Sequence, residues 1–190
     1  MPDLTHINAA LTRTGSEPIT SFVDGTTEAI VAGQNYEAIV TQELSSYRWK
    51  WATKQVPLVM LQDEPELPWG YAYQLPAEDF VMLRSVEALG ISIPFERMGQ
   101  TVLANYDEDA GLVAKYTYRP DESVWPGYFR ALIIKRLEAL FLRAIGERYR
   151  EAADADQEAD RLASRARLLD SQSQPARDLY TSSILRARRA

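Results

Sequence analysis

The chain has 190 residues, of which 46% are hydrophobic and 25% charged, so it is long enough to bury a core without covalent staples. It contains no cysteine, which excludes disulfides, thiolate metal sites and cysteine nucleophiles. The net charge of −6 disfavours tight binding of duplex DNA, which needs clustered Lys and Arg. Neither a secretory signal nor an apolar run of about 20 residues is present, so we expect folding in the cytoplasm.

The first quarter of the chain predicts two amphipathic helices. Asp3 is a candidate cap for a short helix that Gly15 ends, and a longer helix, with Asp24 and Thr26 as candidate caps, is predicted from about Thr26 to about Tyr47. Each helix has one apolar face, so residues 1–48 are expected to form a helical pair that packs on other elements. The apolar residues that set these faces are Leu4, Ile7, Ala10, Leu11, Tyr36, Ile39, Val40, Leu44 and Tyr47.

Residues 49–121 have a different character and are predicted to form a strand-rich insert. Helical periodicity stops, and tryptophan, proline and alternating tyrosine take its place. We expect Trp49, Trp51 and Trp69 to form a core cluster of this insert, and the alternative is a carbohydrate-binding platform. The predicted strands cover residues 52–61, 69–75, 82–89, 99–105 and 112–118.

Helical periodicity returns in residues 122–169. Ser123 is the predicted cap of a long helix whose apolar stripe runs from Phe129 to Tyr149, and in that helix Gly146 would cost about 1 kcal/mol relative to Ala. A fourth helix follows, with a mostly alanine face that permits close approach to a neighbour. Together with the N-terminal pair, these helices predict an antiparallel bundle. The expected fold class is α+β, mainly α.

Residues 170–190 lose helical periodicity and are predicted to form an extended C-terminal docking arm. The segment contains Ser, Gln and Pro, which indicate an extended chain, and yet carries apolar residues, a combination typical of chains that dock on a partner. The candidate docking residues are Arg177, Leu179, Tyr180, Ile184, Leu185, Arg186, Arg188 and Arg189.

Charge is distributed unevenly along the predicted C-terminal helices. Residues 128–150 hold six basic and two acidic residues, whereas residues 151–160 hold five acidic residues and no basic one. We therefore expect ion pairs between helices or between subunits, in preference to nucleic-acid binding. The basic residues are Arg130, Lys135, Arg136, Arg143, Arg148 and Arg150.

Residue patterns for catalysis or metal binding are weak, so we expect no catalytic residue, cofactor or metal. A nucleophile–histidine site would depend on His6, the only histidine, which we expect to be exposed or to cap a helix. The acidic run at 154–160 lacks the Gly and Glu that a calcium loop requires, and a solvated first helical turn is expected instead. Nothing in the sequence places the other acidic residues in a cleft, which disfavours a cation site or a glycosidase pair. These residues are Glu64, Glu66, Glu78, Asp79, Asp107, Glu108 and Asp109.

Five segments carry motifs whose order is more specific than any one of them. They are AALTRTGSEPITSF (9–22), YEAIVTQELSSYRWKWATKQVPL (36–58), YAYQLPAEDFVMLRSV (71–86), VAKYTYRP (113–120) and SQSQPARDLYTSSILRARRA (171–190). In this order they resemble the tail tubular protein A family of short-tailed phages, within the wider class of phage head-tail adaptors. The likeness extends over nearly all of the chain.

The resemblance implies a ring, typically of twelve copies, beneath the portal protein of a tailed phage or a gene-transfer-agent-like particle. It implies a helical body, a strand-rich part facing the tail and a C-terminal arm that reaches into the portal. Further implied partners are a downstream tail protein (nozzle, stopper or terminator) and double-stranded DNA, which passes through the channel without sequence-specific binding. We therefore expect a virion protein of the head-tail junction, made in the bacterial cytoplasm and without membrane contact.

Two other functions stay open. One is a non-viral helical scaffold or regulatory binding protein of the bacterial cytosol, which the amphipathic helices alone would equally suit. The other is an enzyme, such as a wall hydrolase that uses two carboxylates. The sequence favours a structural adaptor over both.

Overall fold

The computed structural model describes residues 4–62, 65 and 68–173. In this part of the chain, helices occur at both ends and short strands between them, so the predicted mixture of helices and sheets is confirmed. The helices are α1 (Leu4–Thr14), α2 (Thr27–Ser46), α3 (Gly127–Ala144) and α4 (Tyr149–Gln172). The strands are β1 (Thr53–Pro57), β2 (Val59–Met60), β3 (Tyr71–Gln74), β4 (Phe80–Ala88), β5 (Ile91–Ser92), β6 (Glu96–Met98), β7 (Thr101–Ala104) and β8 (Val113–Tyr118).

The N-terminal helices form where the sequence predicts them. The side chain of Thr26 accepts a hydrogen bond from the Ala29 amide at 3.2 Å and so caps α2. Gly15 follows α1 with φ of 80°, a conformation that glycine adopts without strain. The amide side chain of Asn8 forms two hydrogen bonds of 2.9 Å with the backbone of Ile19, which hold the connecting loop against α1.

Helix α3 is central and contacts the other three helices. Helix α4 runs antiparallel to it, because the start of α3 meets the end of α4. Helix α1 runs parallel to α3, since His6 lies beside Trp125 and Thr14 lies beside Arg148. The α3–α4 pair is therefore antiparallel and α1 runs parallel to α3, as in an up-and-down bundle, while the complete antiparallel bundle stays a prediction.

The alanine face of α4 packs against α3, as its spacing predicts. Alanine side chains add little width, so the two helices can lie close together over a long contact. The buried alanines are Ala152, Ala155, Ala159, Ala163 and Ala166.

The start of α3 differs from its prediction. Ser123 is not a helix cap but lies within a short 3-10 helix, Glu122–Val124, where the Asp121 side chain accepts a hydrogen bond from the Ser123 amide at 2.9 Å. The extended backbone of Pro126 then separates this turn from α3. Asp121 thus caps the 3-10 turn, and α3 begins at Gly127 without a side-chain cap.

The end of α3 also differs, because the predicted stripe extends across two helices. The helix stops at Ala144, and Tyr149 already belongs to α4. Gly146 therefore lies in the connection rather than in a helix, and a Cβ there would lie 3.2 Å from the Leu142 carbonyl oxygen. Glu147 has φ of 51°, which reverses the chain direction between the helices.

The described strands form two antiparallel sheets, ordered β1-β8-β4-β5 and β2-β3-β7-β6. Strand β1 continues into β2 and strand β5 leads into β6, so the same two chain segments border both sheets. The sheets consequently enclose one apolar core in a small barrel-like unit. Its buried residues are Leu58, Tyr73, Leu75, Leu83, Val86, Ala88, Ile93, Val102, Ala104, Leu112, Ala114 and Tyr116.

The tryptophans do not form the predicted core cluster of the insert. Trp49 and Trp51 pack in the helical core, where their rings lie edge-on to Phe129 at centroid distances of 5.2 and 4.9 Å. Trp69 lies apart on the barrel and donates a hydrogen bond to Glu96 at 2.7 Å. The first loop of the insert therefore belongs to the bundle, and the three rings do not share a platform.

Candidate functional site at the helix-barrel junction

The C-terminal ends of α2 and α4 both lie against the insert, and a basic side chain of the insert contacts each end. These side chains are Arg84, on β4, and Lys50, in the loop before β1. The last carbonyl groups of a helix have no partner within it and carry partial negative charge, so a cation there is stabilising. We call this region the junction and define it by Lys50, Arg84, Tyr128 and Asp170.

Arg84 holds the end of α2. Its Nη2 donates to the carbonyl oxygens of Leu44, Ser45 and Tyr47 at 3.1, 3.1 and 2.7 Å. Its Nε donates to Oγ1 of Thr117, on the neighbouring strand β8, at 2.8 Å. Burial lowers the pKa of Arg84, but an arginine remains charged at physiological pH. One side chain thereby attaches the barrel to α2.

Asp170 holds the end of α4 and is completely buried. Its Oδ1 accepts a hydrogen bond from the Tyr128 hydroxyl and its Oδ2 accepts one from the Lys50 amide, both at 3.0 Å. The Lys50 ammonium also donates to the Ser171 carbonyl oxygen at 2.7 Å. Burial, followed by the charge of Asp170, raises the pKa of Tyr128. We call Asp170, Tyr128 and Lys50 the α4 anchor.

An apolar groove of about 300 Å³ lies between α3 and α4, next to the α4 anchor. Two leucines near it, Leu168 and Leu169, are 57% and 40% exposed. The groove is thus an accessible apolar surface close to the point where the chain leaves α4. Its lining residues are Tyr128, Ala131, Leu162, Arg165, Ala166 and Leu169.

The first residues that the sequence assigns to the docking arm, 170–172, are helical and belong to α4, in which Asp170 is buried. The description of the chain ends at Ser173, so the candidate docking residues lie outside the described residues. They are Arg177, Leu179, Tyr180, Ile184, Leu185, Arg186, Arg188 and Arg189.

The basic face of α3 pairs with the acidic start of α4, which confirms the expected ion match between helices. Arg136 donates to Asp160 and to Glu43 of α2 at 2.7 Å each, and Lys135 lies 3.0 Å from Glu158. Asp160 and Glu158 of the acidic run therefore form ion pairs with α3, in addition to belonging to the first turns of α4 that the sequence predicts to be solvated. A cleft of about 470 Å³ borders these pairs, but its opposite charges neutralise one another.

His6 is buried, contrary to the expectation of an exposed or capping residue. Its Nδ1 lies 3.3 Å from Oε2 of Glu122, and its ring packs against Trp125 at a centroid distance of 5.4 Å. Arg119 also donates to Glu122 at 2.9 Å. These contacts join α1 to the segment before α3, which gives the only histidine a structural role.

The other acidic candidates do not converge. Within residues 4–62, 65 and 68–173, no group of three or more His, Asp or Glu side chains is arranged to hold a metal ion. The turn after β7 is a short 3-10 helix, Glu108–Ala110, and Glu78 and Asp79 lie in the connection between β3 and β4. Glu64 and Glu66 lie outside the described residues.

The junction residues were absent from the sequence-based candidates. Asp170 could have been found, because it continues the spacing of Ala159, Ala163 and Ala166 and so occupies the buried face of α4. An acid at such a position indicates a buried partner. Arg84 carries no comparable signal, since its partners on α2 are about 40 residues away in sequence.

Neither a scan against known protein families nor a search of curated proteins finds a match to this chain. Among the helices described by the structure, none is both long and apolar enough to cross a membrane. A proposal of function therefore depends on two observations. They are the geometry of the junction and the order of the sequence motifs that resemble the phage adaptor family.

Proposed function

We propose that the chain is a structural head-to-tail adaptor subunit of a tailed phage or phage-like particle. It forms a ring beneath the portal, joins the portal to the tail and lets double-stranded DNA pass. The observation that carries the proposal is the junction, where a helical bundle and a barrel are hydrogen-bonded together and the C-terminal segment begins. A subunit that connects two assemblies needs two distinct surfaces in a fixed relation, and a heterologous interface that closes gives a ring.

The distribution of charge also supports a connector. Residues 49–121 carry six basic and eleven acidic residues, a net charge of −5, whereas residues 174–190 carry four arginines and one aspartate, a net charge of +3. Segments of opposite net charge in one chain favour partners of different chemistry. An acidic surface beside a channel also keeps DNA from adhering.

Removal of the C-terminal segment tests the proposal. The full chain and a chain that ends at Ser173 are each mixed with the portal protein encoded nearest to the gene, and the complexes are examined by electron microscopy and sedimentation. We expect the full chain to form rings on the portal. The shortened chain should keep the same melting temperature, because the described bundle and barrel remain, but should not bind.

A set of substitutions tests whether portal binding requires the apolar residues of the C-terminal segment and not only its length. Replacing Leu179, Tyr180, Ile184 and Leu185 together with Ser should abolish portal binding. The control Gln157→Ser, on the exposed face of α4, should bind like the wild type. Normal portal binding by the shortened chain would contradict the docking role, and a full chain that forms no ring with any portal would favour the non-viral scaffold.

A further inference from the structure

We infer that Asp170 is a positioning residue, which sets the direction in which the chain leaves α4 relative to the barrel. Its biological meaning rests on the adaptor function proposed above, while its geometry is independent of that function. The position of this carboxyl group is unfavourable. A carboxyl group in the last turn of a helix faces the negative end of the helix dipole, and burial adds a desolvation cost.

Stability of α4 alone does not account for this residue. Ala159, Ala163 and Ala166 are buried on the same face of α4. An apolar residue at position 170 would extend this face and would introduce no polar group that needs a hydrogen-bond partner. The carboxyl group instead fixes the orientation of the last turn of α4, because hydrogen bonds require defined distances and angles and apolar contacts do not.

The two partners of Asp170 come from different parts of the fold. The Tyr128 hydroxyl belongs to α3, and the Lys50 amide belongs to the loop that leads into β1. A second contact, from the Lys50 ammonium to the Ser171 carbonyl oxygen, lies one residue further along α4. The last turn of α4 is therefore fixed against the bundle and against the entrance to the barrel at once.

This arrangement matters for a segment that docks in several copies. When one body presents many identical arms, simultaneous binding requires that each arm start in the right place and direction. The α4 anchor supplies that condition in every subunit, because it holds the last turn of α4, which leads into the C-terminal segment, against α3 and against the loop that enters β1.

Distance measurement between two introduced spin labels tests the inference directly. The chain has no cysteine, so Gln55→Cys on β1 and Gln172→Cys at the end of α4 provide two unique, exposed attachment sites. Pulsed electron paramagnetic resonance should give one narrow distance distribution for the otherwise native chain. Asp170→Ala should widen it, since both hydrogen bonds are lost.

Three further variants in the labelled chain separate positioning from general destabilisation. Asp170→Asn should keep the distribution narrow, because its amide can accept from the Lys50 amide and donate to the Tyr128 hydroxyl. Tyr128→Phe should widen it in part and serves as the second test if Asp170→Ala does not fold. Asp154→Ala, which removes an exposed acid of the same helix, should leave it unchanged.

Portal binding by the unlabelled variants then connects the geometry to function. Asp170→Ala with an intact C-terminal segment should bind portal about tenfold more weakly, with Asp170→Asn close to the wild type. A narrow distribution in both Asp170→Ala and Tyr128→Phe would overturn the positioning role. A wide distance distribution in Asp170→Ala, together with no portal binding by the wild type, would support the positioning role and overturn the adaptor function instead.

Discussion

The two helix ends at the junction are held by the insert in contrasting ways. At α2, Arg84 brings a positive charge to three carbonyl oxygens, which is favourable without any further partner. At α4, Asp170 brings a buried acid to the negative end of a helix and depends on Tyr128 and Lys50. The first contact therefore contributes mainly to stability, and the second mainly to the relative orientation of the elements.

The largest expected effect concerns Arg84. The substitution Arg84→Met should lower the free energy of unfolding by about 3 kcal/mol, because charge-assisted hydrogen bonds are lost and the end of α2 becomes unpaired. Urea denaturation measures this change. Arg48→Met, which removes an exposed arginine two residues after α2, is the matched control and should cost less than about 0.5 kcal/mol. A loss below about 1 kcal/mol for Arg84→Met would contradict the stabilising role.

The helices were predictable because their signals are local. The Thr26 cap, the Gly15 stop and the alanine spacing of α4 each involve residues within a few positions of one another. The strand-rich nature of the insert was predictable for the same reason. Its closure into one barrel-like unit was not, because it depends on β1 and β5 each continuing into the opposite sheet.

The residues whose surroundings the sequence predicts wrongly have one feature in common, which is contact with a segment distant in the chain. Trp49 and Trp51 belong to the insert by sequence but pack against Phe129 of α3, which lies about 80 residues away in the chain. His6 is buried by a similarly distant segment. Periodicity identifies which residues will be buried, but it does not identify which element will cover them.

A smaller effect is expected at the α4 anchor. Tyr128→Phe removes one hydroxyl group and should lower the free energy of unfolding by about 1 kcal/mol, because Oδ1 of the buried Asp170 loses its donor. The aromatic ring remains, so its stacking on Trp49 at a centroid distance of 6.3 Å is retained. Tyr149→Phe, at a 66% exposed tyrosine, is the control for urea denaturation and should change nothing measurable.

Alkaline pH should narrow the difference between the wild type and Tyr128→Phe. Burial and the charge of Asp170 raise the pKa of Tyr128 above its ordinary value near 10, so the folded chain holds this proton more tightly than the unfolded chain. The resulting stability is complete below pH 10 and is lost as the pH rises through the raised pKa. Unfolding curves between about pH 8 and about pH 11 should show the wild type beginning to lose this advantage above about pH 10, where the unfolded tyrosine ionises, and a constant difference would contradict it.

The smallest effect is expected for the cation at the same helix end. Lys50→Met removes the ammonium group that contacts the Ser171 carbonyl oxygen, but it leaves the backbone amide that donates to Asp170. We expect a loss of about 0.5 kcal/mol that disappears between about 0.05 M and about 1 M salt, because the contact is exposed and is screened. Arg161→Met, which removes an exposed cation of α4, serves as the control. A loss as large as that of Tyr128→Phe, and insensitive to salt, would show that the lysine side chain, and not its backbone amide, holds the end of α4.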